Sequence, residues 1–145
     1  MPLARHKKYS INVECDISAS PAAVFDALTR NTQRWDYLAI ELNSTGIGSP
    51  IVLRDEEGNT TNEQLLAYQS DKLFARTELR YDNTGEPFPT QLYFYLTQTA
   101  GGTRVHVEQS GYDDMMLCEQ DKQEWSGALD RIKALCENEQ HETNE

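Results

Sequence analysis

An apolar stripe near the C-terminus constrains the fold of this chain more than any other feature. Trp125, Ala128, Leu129, Ile132, Leu135 and Cys136 recur at spacings of three and four. At about 100° per residue they fall within roughly a third of a helix circumference. Glu124, Asp130, Arg131, Lys133 and Glu137 take the remaining face. The spacing predicts one long helix over residues 115–137. Asp121 and Glu124 stand at capping-box separation, marking either its start or only its first turns. A solitary helix of this length is marginal in water. Burying five residues of its stripe contributes at most about 8–15 kcal/mol, so the stripe needs a wide apolar partner from upstream.

Upstream, the periodicity changes. Tyr9, Ile11, Val13, Cys15 and Ile17 alternate with Ser10, Asn12, Glu14, Asp16 and Ser18, the period-two pattern of a strand with one wet face. Ser20-Pro21 offers an N-cap and a proline at the first helical position. They open a short helix with Val24, Phe25 and Leu28 inside. Asn31 caps a second turn or two, carrying Trp35 and ending near Tyr37. Strand patterns then follow at 40–43, 51–55, 60–68 and 73–81, and segments 90–99 and 103–111 form a hairpin around Ala100-Gly101-Gly102. No helical pattern separates these strands, so an antiparallel meander is expected rather than parallel crossovers.

Parity assigns the faces. Leu92, Phe94 and Leu96 oppose Val105, Val107 and Gln109 on the inner side; Tyr93, Tyr95, Arg104, His106 and Glu108 take the outer side. In segment 73–81 the expected inner row is Leu73, Ala75, Thr77, Leu79 and Tyr81, with Phe74, Arg76, Glu78 and Arg80 outside. Phe74 argues for the reverse. Asn83 to Pro89 is the longest irregular stretch before the C-terminal tail, and Asp82 to Pro89 is expected to act as a movable lip over a cavity. Tyr93 and Tyr95 are either neighbours on an exposed sheet or half of a homodimer patch.

The chain has 145 residues, 26% of them charged, with a net charge of −11 and a pI near 4.6. That is enough for one domain, expected over 1–137, with a polar acidic tail at 138–145 read as disordered. The negative surface repels phosphate backbones and anionic lipid, so neither nucleic acid nor membrane is an expected partner. Met1 to Lys8 is basic but leads into strand-forming residues, so a cytoplasmic location is expected. Cys15, Cys118 and Cys136 are read as reduced thiols; within one helix Cys118 and Cys136 lie about 27 Å apart, too far to bridge. His6 and His141 lie near the ends and His106 faces outward, so no nucleophile–base pair is nominated. No spacing suggests a metal site, and no cofactor is expected.

The order of elements, together with Ile17-Ser18-Ala19-Ser20-Pro21-Ala22-Ala23-Val24-Phe25-Asp26-Ala27-Leu28-Thr29, Trp35, Gly101-Gly102-Thr103-Arg104-Val105-His106-Val107, Gln109-Ser110-Gly111 and the stretch Trp125 to Leu135, resembles the START-like (SRPBCC) superfamily. Within it the chain is most similar to the AHSA1-like family, named for activators of the Hsp90 ATPase. It departs where Glu124-Trp125 stands in place of a frequent Gly-Trp, and near Thr77, where a strand tryptophan is common. The resemblance implies an α+β helix-grip fold: a curved antiparallel sheet of about six strands around a long C-terminal helix, with two short helices after the first strand. It also implies a cavity between sheet and helix for a small hydrophobic or amphipathic molecule. With the face assignment above, the expected lining is Trp35, Thr77, Leu79, Tyr81, Leu92 and Phe94, joined by Leu96, Val107, Gln109, Asp121, Trp125 and Leu129. Binding without catalysis is the expected function. The alternatives are a cyclase- or dehydratase-like enzyme using Gln109, Asp121 or Tyr81, and a module contacting a chaperone.

Overall fold

The computed structural model describes residues 8–32, 35–36 and 38–143, with side chains described as far as residue 138. Strand β1 (Tyr9–Ile17) leads into helix α1 (Pro21–Thr29), and strands β2 (Ala39–Leu42), β3 (Pro50–Arg54), β4 (Thr60–Gln69), β5 (Leu73–Tyr81), β6 (Pro87–Thr99) and β7 (Gly102–Tyr112) precede helix α2 (Met115–Thr143). The strands form one seven-stranded sheet in the order β1-β7-β6-β5-β4-β3-β2, antiparallel at every pairing. The fold is therefore α+β in the helix-grip arrangement, and the sheet holds seven strands where about six were expected.

Local chemistry explains the element ends. Ser20 caps α1, its hydroxyl accepting from Ala23 N at 3.2 Å, with Pro21 at the first helical position, whose missing N–H costs nothing there. Of the second short helix, Gln33, Arg34 and Tyr37 lie outside the described residues; the amides of Trp35 and Asp36 both donate to the Thr32 carbonyl, which is one turn. The long helix starts earlier than the Asp121–Glu124 spacing suggests. Asp114 is its cap, accepting from Met116 N at 2.9 Å and Leu117 N at 3.4 Å, and the helix continues beyond Glu137. Asp121 is thereby freed from capping and lies inside the helix.

The expected lip is shorter than its sequence suggests, because Pro87, Phe88 and Pro89 belong to β6. β6 begins at Pro87, paired with Tyr81, so the connection is the short turn between Asp82 and Glu86. One carboxylate oxygen of Asp82 accepts from the amides of Thr84 and Glu86, each at 2.9 Å, and from the Thr84 hydroxyl at 2.6 Å. Such an Asx-type turn ties the connection together through side-chain to backbone bonds.

Two apolar clusters fill the space between sheet and helices. The larger joins Val24, Phe25 and Leu28 of α1, Phe74, Phe94 and Val107 of the sheet, and Ala128, Leu129, Ile132 and Cys136 of α2. The smaller gathers Ile11, Phe88, Tyr112, Leu117 and Cys118 at the start of α2. Trp125 packs against both, its ring edge-on to Phe94 with centroids 5.5 Å apart. On the outer face Tyr93 and Tyr95 stack along the same strand at 5.8 Å, while His106 bonds Glu14 at 3.0 Å and Asn12 at 2.9 Å. Cys15, Cys118 and Cys136 form no disulfide.

Because Ile132 is fully buried at the centre of the larger cluster, Ile132→Ala should lower the unfolding free energy by about 2–5 kcal/mol, read from urea midpoints. An effect under 1 kcal/mol would mean that this helix face is not packed as described.

Candidate functional site

The inner face of β5 is the reverse of the one its alternation suggests. Phe74 is fully buried and lies parallel to Phe94 at 6.1 Å, in register across the two strands. Arg76, Glu78 and Arg80 follow on the same face, opposite Leu92, Thr90 and Phe88. Thr77, Leu79 and Tyr81, expected to line the cavity, point the other way. The Thr77 hydroxyl donates to Glu63 Oε1 at 2.7 Å and accepts from Gln64 N at 2.9 Å. Leu79 N donates to Glu63 Oε2 at 2.8 Å, and Tyr81 is 56% exposed. Alternation favoured the wrong row because three ionisable residues look wet; here each is answered by a polar partner.

Those partners border a half-open cavity of about 220 Å³ between β5, β7, the segment after α1, and α2. Of the residues singled out in the sequence, Trp35, Gln109, Asp121 and Trp125 border it, and Arg76, Glu78, Arg80 and Arg131 border it as well. Leu92, Leu96, Val107 and Leu129 are core residues. Phe94 reaches only a narrower cleft beneath, with Leu38 and Arg76.

Two hydrogen-bonded chains hold the walls. In the first, Trp125 Nε1 donates to Gln109 Oε1 at 2.7 Å, and Gln109 Nε2 donates to Glu78 Oε2 at 2.8 Å and to Thr90 Oγ1 at 2.9 Å. Thr90 passes its own proton to the Glu78 carbonyl at 2.6 Å, and Arg76 Nη2 donates to Glu78 Oε1 at 3.2 Å. In the second, Arg80 grips Asp121 with two parallel bonds of 2.9 and 2.8 Å. The Tyr112 hydroxyl donates to the same carboxylate at 2.6 Å. A forked Arg–carboxylate pair with a third donor is the strong form of such contacts, and it fastens α2 to β5. On the far wall, Arg131 Nε donates to the Trp35 carbonyl at 2.9 Å, while Trp35 Nε1 reaches Ala27 O at 2.7 Å.

Tyr112 is the residue that parity hides. Ser10 pairs with Ser110 and Tyr9 with Tyr112, so Gly111 is an extra residue at a bulge. Its φ of +113° and the 2.8 Å between a would-be Cβ and Pro89 O both require glycine. The bulge turns Tyr112, otherwise on the outer row, into the core. Among the described residues no three His, Cys, Asp or Glu side chains gather as a metal site, and no helix is long and apolar enough to cross a membrane.

Burial, then the bond to Asp121, pushes the Tyr112 hydroxyl far above the ordinary tyrosine range. Its folded pKa is raised, so its contribution is complete below the unfolded value of about 10 and is lost as pH rises beyond that. Tyr112→Phe should therefore cost about 1–3 kcal/mol at neutral pH. The difference from the unmodified protein should shrink above pH of about 10, measured by denaturation across pH. A difference constant into alkali would contradict this assignment.

The fold recurs in solved structures. A Mesorhizobium loti protein matches with a TM-score of 0.74 at 22% identity, over 88% of this chain and 96% of that one. The Aha1 dimer from Colwellia psychrerythraea, a solution structure, matches at 0.71 and 20%, covering 89% and 96%. The AHSA1 protein from Silicibacter pomeroyi matches at 0.64 and 15%, covering 87% and 96%. No curated protein matches the sequence. The family model "Activator of Hsp90 ATPase homolog 1-like protein" matches residues 18–137, most of the described domain with both walls of the cavity, and the chain belongs to that family.

Proposed function

We propose that this protein binds a small amphipathic molecule in the cavity between β5, β7 and α2, and does not transform it. The observation that carries this reading is a gap of about 220 Å³ left under an otherwise close-packed helix, bordered by two indoles and a ring of polar groups. Most of the lining is charged or polar, with Trp35, Trp125, Leu38 and Ala128 as its apolar part, so the site is more polar than the usual mainly apolar small-molecule pocket. The volume suits a fragment-sized ligand of one or two rings. The charged lining selects the amphipathic over the purely hydrophobic class.

The geometry favours binding over turnover. The groups an acid–base mechanism would recruit are already committed: Gln109 uses its amide oxygen and nitrogen within the wall, and Asp121 is occupied by Arg80 and Tyr112. A general base must reach a substrate proton, and Tyr81 points away from the cavity.

The chain has two tryptophans, both at the cavity, so their indole N–H signals in a nitrogen-15 correlation spectrum report directly on occupancy. Small aromatic fragments carrying one polar group should shift the Trp125 indole signal in a saturable manner. Fragments that bind only at the outer Tyr93–Tyr95 face, leaving both indoles unmoved, would overturn the assignment.

A further inference from the structure

Arg76 borders the cavity and carries one buried donor that the protein leaves unanswered. Arg76 is 5% exposed. Its Nη1 donates to Thr77 O at 3.2 Å and its Nη2 to Glu78 Oε1 at 3.2 Å, but its buried Nε has no hydrogen-bond partner among the described residues. Leaving a buried donor unmet is costly, and more so on a charged group, so an acceptor that reaches Nε from the cavity on a small shift of the side chain gains what the fold forgoes.

A second guanidinium stands on the opposite wall. Arg131 also borders the cavity, with Nε fixed on Trp35 O at 2.9 Å. Among the described residues it makes no ion pair, so its terminal N–H groups remain to be used. Of the carboxylates on the lining, Glu78 is held by Arg76 and Gln109, and Asp121 by Arg80 and Tyr112. Both are compensated. Asp36 and Glu124 also border the cavity, and the chain as a whole carries −11. The long-range field therefore opposes an anion, and any anion must be held by direct contacts.

From these contacts we infer that the ligand is a small aromatic carboxylate, its head bonded to Arg76 Nε and the Arg131 guanidinium, its ring against Trp35 and Trp125. Guanidinium donors and a carboxylate form charge-assisted bonds roughly twice as strong as neutral ones, and a flat ring is the body that two indoles accept best. The inference rests on the binding reading above and names its ligand class.

The test titrates three probes of one skeleton, 1-naphthoate, 1-naphthamide and 1-naphthalenemethanol, into the full chain, following the indole and arginine Nε–H signals. Naphthoate should bind roughly tenfold more tightly than either neutral probe, with the Arg76 Nε–H signal moving. Arg131→Met, which also gives up the bond to Trp35 O, should remove that preference while the neutral probes still bind. Equal affinity for all three probes would overturn the carboxylate inference while leaving a ligand cavity in place. Failure of every probe to move either indole at millimolar concentration would overturn the inference and the binding reading together.

Discussion

The two-bond grip of Arg80 on Asp121, with Tyr112 behind it, is the contact on which the rest of the arrangement depends. It joins the middle of the sheet to the first turns of α2, so it sets where the helix lies over β5 and how much space stays beneath Trp125. Asp121 is buried while Arg80 is 34% exposed, so the cost of desolvating the carboxylate offsets part of the attraction and the pair's net contribution to stability is modest. Its effect is on geometry. Three charged residues on the inner face of one strand cannot be covered by leucines, so polar partners must gather above them, and a polar cavity follows.

The apolar stripe of α2 supplies the driving force around that cavity. Ala128, Leu129, Ile132 and Cys136 complete the larger cluster, while Leu117 and Cys118 complete the smaller one. Trp125 belongs to both, and its N–H enters the chain that ends at Glu78 and Arg76. One side chain thus couples core packing to the cavity wall. At its other end the helix is held by Glu137, which accepts from Ser18 N at 2.8 Å and from Lys133 at 2.6 Å. Near β5 the ladder to β4 ends at Leu65 and Arg76, and Glu63 takes over by accepting from Thr77 and Leu79. That lets β4 diverge from β5 while their polar groups stay satisfied.

Much of this was legible in the sequence because it depends on periodicity. The stripe from Trp125 to Cys136, the alternation in β1, and the inner rows of β6 and β7 each have one face that water rejects. The reading failed wherever a local device changes parity or hides a charge. Arg76, Glu78 and Arg80 read as outward because alternation counts charge as exposure; the full burial of Phe74 was the available signal. Tyr112 was missed because a single glycine bulge turns it over, and Gly111 with φ +113° was its only trace. Asp121 looked like a cap because the true cap, Asp114, lies about two turns earlier. The Asp82 turn looked like a long loop because Pro87 and Pro89 read as breakers, although both sit within a strand.

If Arg76 and Glu78 serve a ligand rather than the fold, removing the two together should cost the cavity its function and the protein little else. The measurement is the unfolding free energy of the double variant Arg76→Met with Glu78→Leu, taken beside its affinity for an aromatic carboxylate probe. Stability within about 1 kcal/mol of the unmodified protein, or above it, with binding lost, is the predicted result. A loss of several kcal/mol with probe binding retained would place the pair in the structural framework and contradict the account.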